Sequence, residues 1–282
     1  MADHVCAPVD HVPAPGELVL TSRMELSVGG CAANVALDLA KLGHRASVVG
    51  RVGDDSFGRF IRQSLDAAGV GTTHLRESPG KDTSGTLVIN SRGEDRRFIL
   101  YLGGYCLMDA LSPDVVAKVF HVARSAGIVT VLDVVIPRPG RYWERLEPVL
   151  PHTDVFCPNN DESRIITGLE DPVEQARAFR SAGVESTIIT CGKAGAVLIG
   201  RQETLRAGSY PVNFVDGTGS GDAFIAGYMH GLLTQSSAAD CLRYGSALGA
   251  SCVRATGATA GVFNRHELGE FVASNPLPLY EL

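Results

Sequence analysis

The stretch Val215-Asp216-Gly217-Thr218-Gly219-Ser220-Gly221-Asp222-Ala223-Phe224 places three glycines in five positions. Apolar residues at Phe224, Ile225, Tyr228 and Leu232 follow at helical spacing, and Val212–Val215 before it reads as a strand. Glycines there let backbone N–H groups turn toward one point. The helix start adds unpaired N–H groups and the positive end of its dipole. Together they make a cradle for an anion such as phosphate. A carboxylate at Asp222 would repel that anion, unless it takes the proton of a hydroxyl attacking the phosphorus. Gly219, Ser220 and Gly221 would then stabilise the transferred group. A plainer reading is also open: a Gly-rich turn with Asp222 as a helix-start carboxylate.

Working outward, short apolar strands alternate with capped helices. Ala46–Gly50 reads as a strand, and a helix with Phe57, Ile61, Leu65 and Ala68 on one face follows Asp54-Asp55. Ser112-Pro113 opens a second helix by the Ncap–N1 form. Ile128–Val135 is a nearly continuous, β-branched run expected of a strand buried on both faces. Asp171-Pro172 opens another helix, and Thr187–Thr190 is the next strand. A helix over Asp222–Leu233 follows the glycine loop, and Ser237 caps one more to about Arg254. This order predicts an α/β fold, a mostly parallel sheet with helices on both faces. Thr83–Asn90 and Arg96–Leu100 flank the polar turn Ser91–Asp95 and read as a hairpin. With a strand in Leu18–Leu26 they form a small β flap on the α/β body; an antiparallel extension of the main sheet is the alternative.

Other clusters sit where such strands and helices meet. Ser27-Val28-Gly29-Gly30-Cys31-Ala32-Ala33-Asn34 is a second glycine turn feeding a helix with Val35, Leu39 and Leu42 on its apolar face. Asn34 can donate to and accept from a polyol, or simply cap locally. Cys31 near a helix start has no neighbouring histidine to activate it. Asn159, Asn160, Asp161 and Glu162 follow a short strand at Asp154–Cys157. They suit water-mediated Mg2+ at a sheet's ligand-collecting edge, or a helix cap. Thr190, Gly192 and Gly195 can run along phosphates or make a turn. Gly257 can approach a nucleobase or end a helix.

The 282 residues carry a net charge of −6, which disfavours a nucleic-acid partner held through phosphates. No apolar run is long enough to span a membrane. The N-terminal residues lack the pattern of a secretory signal. Seven scattered cysteines without a CxxC pair fit reduced thiols in a cytoplasmic protein. Walker, protein-kinase and GxSxG motifs are absent, GxGxxG fails at Phe224, and no His/Cys cluster forms a transition-metal site.

Taken in order, these motifs resemble the ribokinase-like (PfkB) family of small-molecule kinases. The matching pieces are Ala2-Asp3-His4, Pro13–Glu17, Gly29-Gly30 with Asn34, Asn159 with Glu162, Thr190-Cys191-Gly192 and Asp216–Asp222. The resemblance implies a three-layer α/β/α sandwich with a β lid, spanning 1–282 as one domain, the lid at about 13–28 and 82–100. It implies ATP-dependent phosphorylation of an alcohol on a sugar, or alternatively on a nucleoside. Asp222 would be the base, with Gly219, Ser220 and Gly221 in the anion hole. Asp3, Gly29, Gly30 and Asn34 would hold substrate. Asn159, Thr190, Gly192, Gly195, Thr218 and Gly257 would serve ATP. Asn159 and Glu162 would serve Mg2+ through water, and K+ enters in some members. The lid often forms a homodimer contact.

Gly217 and Ser220 depart from the family signature but are small. Two pieces implied by the resemblance have no counterpart: a core strand ahead of Asp3, and a GAN-like turn with a helix between Leu100 and Tyr101. Either further residues supply them, or a real deletion opens a sheet edge and weakens activity. That second case keeps a non-catalytic sugar- or nucleotide-binding regulator open. A dinucleotide-dependent dehydrogenase is a more distant reading.

Overall fold

Neighbouring residues of the central strands face opposite ways into two separate cores. Val131, Ile188 and Leu198 enter one; Leu132, Ile189 and Val197 enter the other. That is the period-two geometry of a strand covered on both faces, which explains why these segments are apolar throughout. The computed structural model describes residues 2–6, 24–81, 86–90, 98–137 and 140–282, with backbone alone for 2–6, 24–27 and 86–90.

In chain order the elements are β1 (Ala2–Cys6), β2 (Met24–Val28), α1 (Cys31–Lys41), β3 (Ala46–Gly53), α2 (Ser56–Ala67), β4 (Gly71–Ser78), β5 (Thr86–Asn90) and β6 (Ile99–Leu102). Next come α3 (Pro113–Ser125), β7 (Val129–Leu132), α4 (Tyr142–Leu146), β8 (Val155–Phe156), α5 (Asn160–Thr167), α6 (Pro172–Ser181), β9 (Ser186–Thr190), β10 (Ala196–Ile199) and β11 (Thr204–Ala207). Last are α7 (Ser220–Leu233), α8 (Ala238–Cys252), α9 (Arg265–Ser274) and β12 (Leu279–Glu281). Local chemistry starts the helices as read: Ser112, Asp171, Ser237 and Asp55 each accept an amide from the first turn they cap.

The large sheet has the order β12-β11-β10-β9-β8-β7-β6-β5-β3-β4. β6 to β9 are mutually parallel, and β3 is parallel to β4. Helices α1, α2, α7 and α8 pack on one face, α3 to α6 on the other. Phe156 and Phe179 meet edge to face in the second core, centroids 4.9 Å apart; truncating either costs about 3–5 kcal/mol. The carboxyl ends of β7, β8 and β9 open onto one edge, where Asp133, Asn159 and Thr190 stand.

Two expectations are corrected. The Thr83–Leu100 hairpin forms as β5 and β6, but both strands belong to the large sheet, not to a lid. β5 lies antiparallel between β3 and β6. Its N–H and C=O groups are thereby paired on both sides. Only Met24–Val28 of the expected lid stands in a separate sheet, paired with β1; residues 13–23 lie outside the described residues. The second correction is Val212–Val215, which is no strand. Phe214 is 72% exposed there, and Val215 N bonds Val253 O at 2.7 Å.

α1 and α7 are also joined through two histidines, His44 Nε2 and His230 Nδ1, 2.7 Å apart. Burial, then His44 and Arg265, push His230 down to about 4. Burial and then Arg265 lower His44. Both lie below the unfolded value near 6.5, so their stabilisation is fully present above that pH. It is lost as pH falls towards 4. Thermal melts should show a steeper fall in Tm over that window for the wild type than for a His44→Gln/His230→Gln double variant. Equal slopes would remove the pair from the acid response.

Candidate active site

The site is built around the first turn of α7. Gly219 caps that helix with φ at 76°, a left-handed conformation natural to glycine. A Cβ there would lie 2.5 Å from Ala258 Cα, so the turn tolerates no side chain. Asp216 ties the turn to the loop behind it. Its Oδ1 accepts from Thr218 N at 3.0 Å and Thr218 Oγ1 at 2.8 Å, and its Oδ2 accepts from Gly257 N at 2.9 Å. Those bonds, first Gly257's and then Thr218's, hold the Asp216 carboxyl below its usual range. The Cys252 thiol donates to Thr218 O and Ala258 O across the same seam. The amides of Gly221 and Asp222 fall in the first helical turn, where the helix supplies no acceptors.

α1 faces this turn. Gly30 caps α1 with φ at 102°, and Asn34 is buried one turn later, 4% exposed. Asn34 Nδ2 donates to Asp222 Oδ2 at 2.9 Å, while its Oδ1 is buried without a hydrogen-bond partner. The Cys31 thiol hydrogen-bonds Asp222 as well. Burial, then the charges of Asp222 and Asp133, push that thiol far up, so it is protonated and no nucleophile.

Two cavities meet at the glycine turn. The larger, about 710 Å3, runs past Thr190, Gly192, Lys193, Gly195, Phe214 and Ala250 to Gly217, Ser220 and Gly221. The smaller, about 190 Å3, holds Cys31, Asp133, Glu162, Asp222 and the same glycine turn. Asn159 and Thr190 border both. Among the described residues no basic side chain lines the smaller cavity. Burial pushes Glu162 up to about 7 against the backbone N–H groups of Asn159 and Ile136 that pull it down. A long apolar-walled cleft and a small acidic one thus share a ring of helix-start amides beside a carboxylate. That arrangement brings a phosphate and an alcohol together.

Most residues singled out from the sequence converge here: Asp222, Gly219, Ser220, Gly221, Gly30, Asn34, Asn159, Glu162, Thr190, Gly192 and Gly195. Gly29 is buried beside them. Thr218 and Gly257 do not line either cavity; the bonds to Asp216 turn them into bracing for the turn. Asp3 lies in β1 opposite Ser27, and its side chain lies outside the described residues. Asn159 caps α5 in a reciprocal box with Glu162, as the capping reading expects, and both residues also line the smaller cavity. Asp133 was missed. Its one signal in the sequence is its place, an acid directly after β7 at a parallel strand's carboxyl end, with no spacing motif to mark it. Val212 and Phe214 were misread as strand because a cavity wall needs apolar residues as much as a core does.

The pfkB family carbohydrate kinase profile matches residues 1–105 and 99–264. The chain belongs to that family, and it is an ATP-dependent kinase acting on a sugar hydroxyl. It is 26% identical to ribokinase of Haemophilus influenzae over 96% of this chain and 95% of that one. Among solved structures, Arabidopsis thaliana ribokinase complexed with ribose and ATP superposes with a TM-score of 0.76 at 22% identity, covering 93% of each chain. Aminoimidazole riboside kinase from Salmonella enterica, complexed with aminoimidazole riboside and an ATP analogue, gives 0.75 at 24% identity, covering 97% and 98%.

Gly219→Ala forces a Cβ against Ala258 and keeps a positive φ, a strain of about 1–3 kcal/mol. We expect a lowered Tm and at least a tenfold loss in kcat/KM for ATP, about 1.4 kcal/mol. At Gly221 a Cβ meets no protein atom within 4 Å. Gly221→Ala should therefore keep the wild-type Tm and still raise KM for ATP. Unchanged ATP kinetics in both variants would separate the turn from phosphate binding.

Proposed function

We propose that the larger cavity takes ATP, with its γ-phosphate at Gly219–Gly221, and that the smaller takes one hydroxyl of a sugar. The observation that carries this reading is Asp222: a half-buried carboxylate in the smaller cavity, next to the glycine turn that both cavities share, beside helix-start amides and oriented by Asn34. Asp222 accepts the hydroxyl proton while the oxygen attacks in line. The glycine-turn amides stabilise the transferred phosphoryl. Asn34 and Gly30 hold further sugar oxygens, and Asp3 joins them. Thr190, Gly192 and Gly195 run along the nucleotide.

Mg2+ suits this donor set. Carboxyl groups line a cavity that, among the described residues, holds no basic side chain, and burial raises the carboxyl of Glu162 there. Glu162 and Asn159 would hold the ion through water, and bound Mg2+ supplies charge neutralisation on phosphate oxygens. Glu162→Gln should raise the Mg2+ concentration needed for half-maximal rate; an unchanged Mg2+ dependence would move the metal elsewhere. K+ stays a finer proposal, tested by exchanging K+ for Na+ in the assay. A homodimer through the β1–β2 sheet is proposed because two strands alone leave edges to cover. A reducing, cytoplasmic setting fits the free cysteines at 31, 106, 157, 191, 241 and 252. Among the described residues no helix is long and apolar enough to cross a membrane.

A sugar is favoured over a nucleoside because, among the described residues, no aromatic ring lines the smaller cavity to stack a base. ADP release over a panel of pentoses, hexoses, keto-sugar acids and nucleosides decides this. It also disposes of the regulator reading if any acceptor is turned over. Asp222→Asn should lower kcat by about 10²–10⁴-fold with ATP binding retained. Near-normal turnover would reject the assigned base.

A further inference from the structure

One carboxyl group of the smaller cavity has no part in that proposal. Asp133 follows directly on β7 and is 8% exposed. Its amide bonds Leu102 O at 2.9 Å, and its carbonyl accepts from Tyr105 N at 3.2 Å, so its backbone is pinned beside β6. Its Oδ2 accepts from Tyr101 Oη at 3.3 Å. A carboxyl oxygen of Asp133, one of Asp222 and Cys31 Sγ all lie within 4.8 Å of one another. Two anionic carboxylates that close in a poorly hydrated pocket repel, and the more deeply buried one keeps its proton. Burial, then the charges of Glu162 and Asp222, hold Asp133 well above the usual carboxylate range. A neutral carboxyl that accepts from Tyr101 still has one O–H to give.

We propose that Asp133 binds the acceptor hydroxyl opposite Asp222, a role that rests on the sugar-kinase reading of this cavity. Hydrogen bonds between oxygens run about 2.7–2.8 Å. A hydroxyl oxygen at that distance from two atoms as far as 4.8 Å apart subtends about 120°. One small oxygen therefore fits both carboxyl groups without strain. The hydroxyl donates its proton to Asp222 and accepts the Asp133 O–H on one lone pair; the other lone pair attacks phosphorus. The new O–P bond forms, the bond to the leaving ADP oxygen breaks with its electron pair, Asp222 ends protonated, and Asp133 keeps its proton throughout. As the O–P bond forms the attacking oxygen becomes a poorer acceptor. The Asp133 bond is then stronger in the ground state than in the transition state, and its loss falls on KM more than on kcat.

The test is steady-state kinetics of the full chain with D-ribose, or the panel sugar the wild type turns over fastest. Asp133→Leu should raise the sugar KM about tenfold, the loss of one hydrogen bond of about 1.4 kcal/mol, with KM for ATP within about twofold. Asp133→Asn keeps an N–H donor and should restore the sugar KM to within about threefold. Tyr101→Phe removes the phenol and should leave the sugar KM near wild type. A sugar KM for Asp133→Leu within about twofold of wild type would overturn the proposal. So would a Tyr101→Phe variant that matches it, because that marks a packing role. If Asp133→Leu does not fold, Asp133→Ala carries the same comparison. A wild type that turns over no sugar defeats the underlying assignment, and this inference with it.

Discussion

The hydrogen bond from Asn34 Nδ2 to Asp222 Oδ2 is the contact on which the site depends. It joins the first turns of α1 and α7, two helices whose starts are separated by most of the chain. Each helix begins on a glycine with positive φ, Gly30 and Gly219, so each presents its terminal N–H groups rather than a capping side chain. An unfolded chain would bring these two ends together at a large entropic cost. The shared core beneath them offsets it: Val35, Leu39, Ile225 and Met229 are fully or nearly fully buried there. The bond fixes the orientation of the Asp222 carboxylate, which the Cys31 thiol also hydrogen-bonds.

Behind that contact the glycine turn is held by the Asp216 carboxylate. Asp216 accepts three bonds, two from Thr218 and one from Gly257, so the loop after α8 and the loop before α7 move as one piece. Ala258 presses against Gly219 from the same side. A rigid ring of amides stabilises developing charge best when it need not reorganise. The acidic side of the site works the opposite way. Asp133, Glu162 and Asp222 line one small cavity without a basic neighbour, so burial and mutual repulsion raise the first two.

Local chemistry was easy to read. Caps at Ser112, Asp171 and Ser237 start helices where the residue types demand, and the runs read as strands at Ile128–Val135 and Thr187–Thr190 hold β7 and β9. The hairpin of β5 and β6 was legible as a hairpin, but its place was not. Pairing partners across a sheet are set by which edges lie open, and β3 and β6 offered two. Val212–Val215 misled because apolar side chains that wall a ligand cavity carry the same composition as a buried strand. Asp133 escaped because a single acid after a strand has no spacing pattern to mark it.

The sequence by itself determined the alternation of strands and helices, the glycine turn before α7 and the acid in its first turn, since each rests on residues close along the chain. The tertiary structure alone decided that Asn34 meets Asp222, that Thr218 and Gly257 bond to Asp216, and that Asp133 shares a cavity with Asp222. Those facts depend on distances between segments far apart in the chain. Only the packing of helices on both faces of one sheet sets such distances.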